Sequence, residues 1–251
     1  ADQGQLAQSV DAMTETLFER ITANEKFAAD VAHELKNPLT SIRSAVETAE
    51  RVKGDPEATE KLRQLIAKDV QRLDRLITDI SNASRLEAEV TRVRTEILDI
   101  GRFLGDIVRT YSSTDDGRAQ VVYDDLTRGG GLMVRGRDGP LGQVMRNLID
   151  NARSFSPPDG SVRVVLRQDA NGPQTMACIM VEDDGPGIPD DKLDKIFDRF
   201  YTDRPAGADF GNNSGLGLSI VKQIVTTHRG DVRAENRDQG GARFIVELPA
   251  D

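Results

Sequence analysis

Residues 62–80, Leu62-Arg63-Gln64-Leu65-Ile66-Ala67-Lys68-Asp69-Val70-Gln71-Arg72-Leu73-Asp74-Arg75-Leu76-Ile77-Thr78-Asp79-Ile80, decide the first half of the fold. Leu62, Ile66, Val70, Leu73, Ile77 and Ile80 follow one another at spacings of four, four, three, four and three. That is one apolar stripe at nearly heptad period, the mark of an amphipathic helix. Upstream, Phe27, Val31, Leu35, Ile42 and Val46 fall at four, four, seven and four and predict a second such helix. Gly54-Asp55-Pro56 between them reads as a tight turn, with Pro56 suited to the first turn of the following helix. Residues 5–88 are therefore a helical hairpin. Two helices that bury one narrow stripe each make a poor core, so a second copy completing a four-helix bundle is the expected solution.

From about residue 92 the texture changes. Short β-like runs at 92–98, 120–126, 162–167, 175–182, 231–236 and 242–248 alternate with helical patterns at 100–111, 139–155 and 215–228. Strands interleaved with helices predict an α/β sandwich, antiparallel where a hairpin such as 231–248 reads out. Residues 202–214, rich in Gly, Asn, Asp and Pro, are expected to form a long mobile loop.

A chain of 251 residues holds two ordinary domains. Its formal net charge of -9 argues against nucleic acid as a partner, because no basic field exists to release counterions. The single cysteine, Cys178, cannot support a disulfide framework and sits in the apolar run 176–181, where a buried inert thiol is expected. No run of 18 apolar residues and no signal peptide occurs, so this stretch predicts no direct membrane contact. A start at Ala1 rather than methionine suggests a fragment of something longer.

Two regions carry chemistry. In Phe27-Ala28-Ala29-Asp30-Val31-Ala32-His33-Glu34-Leu35-Lys36-Asn37-Pro38-Leu39-Thr40, His33 lies two residues from Val31 and from Leu35. It is about 200° around the helix from each and points to solvent. Glu34 is adjacent, Asn37 sits one turn on along the same face, and Pro38 removes a backbone hydrogen bond and invites a bend. An exposed imidazole beside a carboxylate suits a nucleophile, the carboxylate fixing the tautomer so that the other ring nitrogen can attack phosphorus. By itself, such a residue reads first as a plain surface histidine on a charged helix.

The second region assembles several weak signals. Asn147 and Asn151 lie four apart on a helix whose other face carries Val144, Leu148 and Ala152; amide oxygens so placed can hold Mg2+. Val181-Glu182-Asp183-Asp184-Gly185-Pro186-Gly187-Ile188-Pro189 is a strand ending in acid, then glycines that let a ligand approach the backbone. A carboxylate there can accept the exocyclic amine of adenine. Ser214-Gly215-Leu216-Gly217-Leu218 opens a helix, where free N–H groups and the helix dipole favour phosphate. His228 ends that helix and reads as a cation at a helix C-terminus, and the acidic run 190–194 as a solvated face.

Together these residues resemble the H, N, G1, F and G2 boxes of sensor histidine kinases, covering nearly the whole chain from about residue 20. The resemblance implies a dimeric helical-hairpin domain, a four-helix bundle, followed by a Bergerat-type ATP-binding α/β sandwich. It implies His33 as phosphoacceptor, Glu34 as its polar activator and Asn37 in a phosphatase reaction on the partner. For the nucleotide it implies Asn147 beside ATP, Asn151 as Mg2+ ligand and Asp184 as the adenine contact, with Gly185, Gly187 and Ile188 in G1. Arg199, Phe200 and Tyr201 belong to the F box at the base of the ATP lid, and Gly215, Leu216, Gly217 and Leu218 to G2. The implied partners are a second copy and the receiver domain of a response regulator. The domains read as 1–20, the end of a HAMP-like signalling helix; 21–90, dimerisation and phosphotransfer; and 91–251, catalytic. The parent would be an inner-membrane sensor with this portion in the cytoplasm.

Two departures stand out. The family usually has Lys three residues after the N-box metal ligand; here Ser154 stands there and basic Arg153 is displaced by one, which makes Arg153 the candidate phosphate contact. Asn213 occupies the position where G2 commonly starts with glycine. Segments 43–48 and 151–156 are similar to the alphaproteobacterial ChvG/ExoS sensors. Gyrase-type and mismatch-repair ATPases share such an ATP site but lack the hairpin bearing His33-Glu34-Leu35-Lys36-Asn37-Pro38. A scaffold that binds a regulator without phosphorylating it would not need intact H, N and G1 residues.

Overall fold

The computed structural model describes residues 2–52, 54–89, 96–113, 116–127, 131–170, 174–201 and 215–251. The loop expected over 202–214, with Asn213 and Ser214, and the start of the strand expected over 92–98 lie outside them. The chain divides into two compact units, Ala1–Leu76 and Ile77–Asp251. Among the described residues no helix is long and apolar enough to cross a membrane.

The hairpin is built from α1 (Asp2–Arg51) and α2 (Pro56–Glu89). Asp55 caps the second helix, its Oδ1 accepting the N–H groups of Glu57 at 3.0 Å and Ala58 at 3.1 Å, with Pro56 in the first turn. The first helix runs on through Pro38, whose ring is buried. The inward face differs in part from the expected stripe. Ala45 and Leu76 are buried at the hairpin contact, while Val46 and Val70 are exposed. Leu39 and Val46 recur seven residues apart on α1, Val70 and Ile77 seven apart on α2, and each of the four is about half exposed. The apolar residues thus form two seams, of which the hairpin fills one.

In the second unit, β1 (Glu96–Asp99) pairs antiparallel with β3 (Met133–Gly136). The sequence pattern does not predict this third strand. The main sheet contains β2 (Gln120–Asp125), β4 (Ser161–Asp169), β5 (Met176–Glu182), β6 (Asp231–Asn236) and β7 (Ala242–Pro249) in the order β2-β4-β5-β7-β6. Its β2–β4 pair is parallel and the other three are antiparallel. Three helices, α3 (Ile100–Ser112), α4 (Asp138–Phe155) and α5 (Gly217–Thr227), form a layer packed on the sheet.

Alternation along the strands sets the core. Val164, Val181 and Phe244 stand in register across β4, β5 and β7, as do Leu166, Ile179 and Val246, and all six are essentially inaccessible to solvent. Leu148, Ile149 and Ala152 of α4 and Ile220, Val221 and Ile224 of α5 are buried with them. Cys178 is buried too, and burial pushes its thiol pKa up, as suits an inert side chain.

Candidate active site

On the hairpin, His33 is exposed and makes no hydrogen bond among the described residues. Asn37 is exposed one turn further along. Glu34 is half-buried and does not reach His33. Its Oε2 instead accepts from Nη2 of Arg72 on α2 at 2.9 Å. Neighbouring residues on a helix project about 100° apart, so Glu34 can face α2 while His33 faces solvent.

In the α/β unit the glycine turn after β5 is fixed from several sides. Asp183 is 3% exposed; its Oδ1 accepts the N–H of Gly185 at 2.9 Å and of Ala242 at 3.0 Å, and its own N–H donates to the Ala242 carbonyl. Burial raises its carboxyl pKa above the ordinary range, these two amides opposing the shift. Gly241 has a φ of 84°, and a Cβ there would overlap the Asp183 carbonyl oxygen, so only glycine fits. Asp184 goes the other way. It is exposed, and its Oδ2 accepts the amide of Ser161 at 2.9 Å and its hydroxyl at 3.0 Å, while Oδ1 accepts Nη1 of Arg237 at 2.9 Å. The Ser161 amide and then Arg237 hold its pKa low.

Asp184, the expected adenine contact, thus has both carboxylate oxygens engaged by Ser161 and Arg237. Successive residues of an extended chain face opposite sides. Counting by two from Ile179 and Val181 puts Asp183 on the buried, helix-facing side and Asp184 on the other. That alternation is present in the sequence itself, and it points away from Asp184. The carboxylate buried at the glycine turn is that of Asp183.

Helix α4 touches both glycine segments. Nδ2 of Asn147 donates to the carbonyl of Gly217 at 3.0 Å, tying the helix to the start of α5. At its far end, Ser156 Oγ accepts the N–H of Asp184 at 3.2 Å. Asn151 lies between, half-buried, on the same face as Asn147. Ser154 donates its hydroxyl to the Asn151 carbonyl at 2.7 Å, closing a local bond where a lysine would extend.

Arg153, the candidate phosphate contact, faces away from the Asn147–Asn151 side of α4. Its side chain is buried, with Nε donating to the Ala119 carbonyl at 3.0 Å, Nη2 paired with Asp116, and the guanidinium 5.6 Å from the Tyr111 ring centre. Two residues beyond Asn151 it projects about 200° away around the helix, and its charge is spent on packing α4 against the segment between α3 and β2.

Phe197 is buried edge-on against Phe244, with centroids 6.4 Å apart. Phe200 adopts a φ of 61°, and its N–H donates to the Gly215 carbonyl at 2.8 Å, joining the chain on either side of residues 202–214. Arg199 is exposed, and Tyr201 closes the turn through its N–H to Asp198. Leu216 is buried, and Gly215 and Leu218 are half-buried beside it. The structure thus gathers Asn147, Gly217, Phe200 and Gly215 on one side and Gly185, Gly187 and Ile188 on the other, joined by α4.

His228 is not a helix-end cation. Nδ1 donates to the Ile224 carbonyl at 2.8 Å, and Nε2 accepts the N–H of Arg137 at 3.3 Å, which requires the neutral ring. Burial lowers its pKa.

The His Kinase A (phospho-acceptor) domain family matches residues 23–89, and the histidine kinase-, DNA gyrase B- and HSP90-like ATPase family matches residues 136–251. Sensor protein ChvG of Rhizobium meliloti (strain 1021) is 47% identical over 259 residues, spanning 98% of this chain and 44% of that protein. Histidine kinase ThkA, solved in complex with response regulator protein TrrA, superposes with a TM-score of 0.70 at 25% identity over 93% of this chain and 64% of that one. Full-length ShkA in complex with AMPPNP shares the fold, with a TM-score of 0.59 at 23% identity over 88% of this chain and 45% of that one. The chain belongs to the sensor histidine kinases. It spans less than half the length of the ChvG relative it matches.

Proposed function

We propose that this chain is the catalytic portion of a sensor that transfers the γ-phosphoryl group of ATP to His33. The observation that carries the reading is His33 itself, exposed and unbonded on α1, in a chain whose second unit presents a buried carboxylate at a glycine turn. One ring nitrogen attacks the γ-phosphorus as the bond to the β-phosphate oxygen breaks and ADP leaves; the proton on the other ring nitrogen passes to Glu34. Asp183 accepts from the adenine amine. Gly185, Gly187 and Ile188 admit the base, and Asn147 with the start of α5 faces the phosphates. The Asn151 amide oxygen suits Mg2+, a hard cation that takes oxygen ligands and keeps several waters. Bound there, the ion would neutralise charge on the phosphates.

The second apolar seam of the hairpin supports a homodimer, Leu39, Val46, Val70 and Ile77 meeting a second copy in a four-helix bundle. The phosphoryl group passes on to an aspartate of a response regulator receiver domain, as the solved pairing of ThkA with a response regulator suggests. Asn37 serves the reverse, phosphatase reaction on that regulator. Likeness to ChvG over part of its length supports a longer, inner-membrane parent with this portion in the cytoplasm.

Incubating the protein with γ-labelled ATP tests the reading. Acid-labile label on wild type but not on His33→Gln is expected. Released phosphate without labelled protein would assign it to the gyrase-type ATPases, and neither product would leave a binding scaffold.

A further inference from the structure

We propose that Arg72 is a positioning residue that withholds Glu34 from His33, and that Asp69 is its alternative partner. The inference rests on the reading of Glu34 as the carboxylate that takes the His33 proton. Three observations support it. Glu34 is held by Arg72 across the hairpin at 2.9 Å, with side chains 24% and 26% exposed, so solvent only partly screens the pair. His33 meanwhile has no hydrogen bond among the described residues. Beside the pair, two buried atoms lack any partner: Nε of Arg72 and Oδ2 of Asp69.

Those two atoms are a donor and an acceptor, three residues apart on α2 and therefore on neighbouring turns of one face. Each buried group left unmet is costly. If Nε of Arg72 turned to Oδ2 of Asp69, both would be satisfied within α2 and the bond to Glu34 would be released. The hairpin therefore offers two arrangements, one with Arg72 across to α1 and one with Arg72 folded along its own helix. They trade an interhelical ion pair against a local one, so a small displacement of α1 against α2 suffices to choose between them.

The chemical consequence follows from lone pairs. A carboxylate engaged by a guanidinium has its charge and acceptor sites committed and faces α2, about 100° from the direction of His33. Released, it can swing to the imidazole and accept its N–H. No new catalytic group is needed; the same carboxylate is either sheathed or presented.

Substitutions in the full dimeric chain test this. Arg72→Met keeps most of the aliphatic stem and removes the charge. It should raise the autophosphorylation rate roughly two- to five-fold, the scale of releasing a partly exposed ion pair, with KM for ATP unchanged. Asp69→Ala removes the alternative partner and should lower the rate by a similar factor. The double variant should match Arg72→Met, because Asp69 acts only through Arg72. Arg72→Lys, which keeps a charge for Glu34, should stay near wild type. A purely structural role would instead lower the rate in every variant.

Glu34→Gln separates the inference from the reading beneath it. If Glu34→Gln autophosphorylates like wild type, the role of Glu34 itself falls. If Glu34→Gln is crippled while Arg72→Met, still helical and dimeric, is no faster than wild type, the positioning role of Arg72 is overturned. Arg72→Gln replaces Arg72→Met in that comparison should Arg72→Met lose its dimer. Adding Glu34→Gln to Arg72→Met must abolish the gain; a gain that persists also overturns the proposal.

Discussion

The side-chain amide of Asn236 pairs both ways with the backbone of Ile188: Oδ1 accepts its N–H at 2.7 Å and Nδ2 donates to its carbonyl at 2.6 Å. The last residue of β6 thereby clips the glycine turn, and Gly187, at a φ of 80°, lies so close that a Cβ would press on the Asn236 amide oxygen. Asn236→Ala removes these two hydrogen bonds and a longer one from Nδ2 to the Asp190 carboxylate at 3.2 Å, at a net cost of about 1–2 kcal/mol, so ATP affinity should fall roughly five- to thirty-fold. Calorimetric titration with ATP checks it, and an unchanged affinity would show that the turn holds its shape without the clip.

Asp183 and Asp184 should behave oppositely. Asp183→Asn removes a charged acceptor and should weaken ATP binding by about 10–100-fold. Asp184→Ala gives up the two hydrogen bonds from Ser161 and a partly exposed ion pair with Arg237, and should cost about 1–2 kcal/mol of stability with ATP affinity nearly intact. Because burial raises the Asp183 pKa above its ordinary 3.8, ATP affinity should begin to fall at a higher pH than an ordinary carboxylate would dictate. Fluorescent-nucleotide titration of both variants across pH decides the assignment.

His228 should make the α/β unit sensitive to mild acid. Its folded pKa lies below its ordinary value of 6.5, so between the two values the unfolded chain binds more protons than the folded one. Stability therefore rises with pH across that window and is lost as pH falls below about 6.5, by at most about 1.4 kcal/mol per pH unit. Urea unfolding at a series of pH values should show this slope in wild type and lose it in His228→Gln.

The second seam of the hairpin predicts where charge will break the dimer. Val70→Asp or Ile77→Asp would bury an unpaired carboxylate between protomers at a cost of several kcal/mol, raising the dimer Kd by more than about 100-fold. Sedimentation at tens of micromolar should then show monomers with unchanged helicity. Wild type already monomeric at that concentration would remove the four-helix bundle from the account.

Asn37→Ala should separate the two reactions at the hairpin. An uncharged amide cannot act as a base near neutral pH, so autophosphorylation should stay within about two-fold while regulator dephosphorylation falls about ten-fold or more. Parallel assays on one preparation are needed, since equal losses would make Asn37 only a support for the chain before Pro38.

Much of this is legible in the residues, and the departures have physical causes. Period alone finds both hairpin helices, but it merges two apolar seams: Val46, Val70 and Ile77 read as inward, and Ala45 and Leu76 go unmarked. A heptad pattern cannot say which seam is filled within the chain and which is left for another. The four-residue strand Met133–Gly136, paired with β1 outside the main sheet, is too short to announce itself. Arg153 shows its charge but not its destination, since Asp116 and Tyr111 reach it from a distant segment. The end of α5 suggests a charged His228 until the fold brings the Arg137 amide against it. Nothing in the sequence singles out Asn236, whose role exists only once β6 lies beside the glycine turn.

The strand order has a kinetic consequence. β4 with β5 and β6 with β7 are hairpins whose partners are near in sequence, whereas β5 and β7 join residues far apart, such as Ile179 and Val246. Local hairpins close early and distant pairings late, because the loop entropy of the latter is repaid only on docking. Asp183 stands at the end of β5 and its partner Ala242 at the start of β7, on opposite banks of that late seam. A ligand held across it gains nothing from the chain before the seam closes. ATP is therefore expected to leave the refolding rate almost untouched and to slow unfolding, shielding a finished sheet without hastening its assembly.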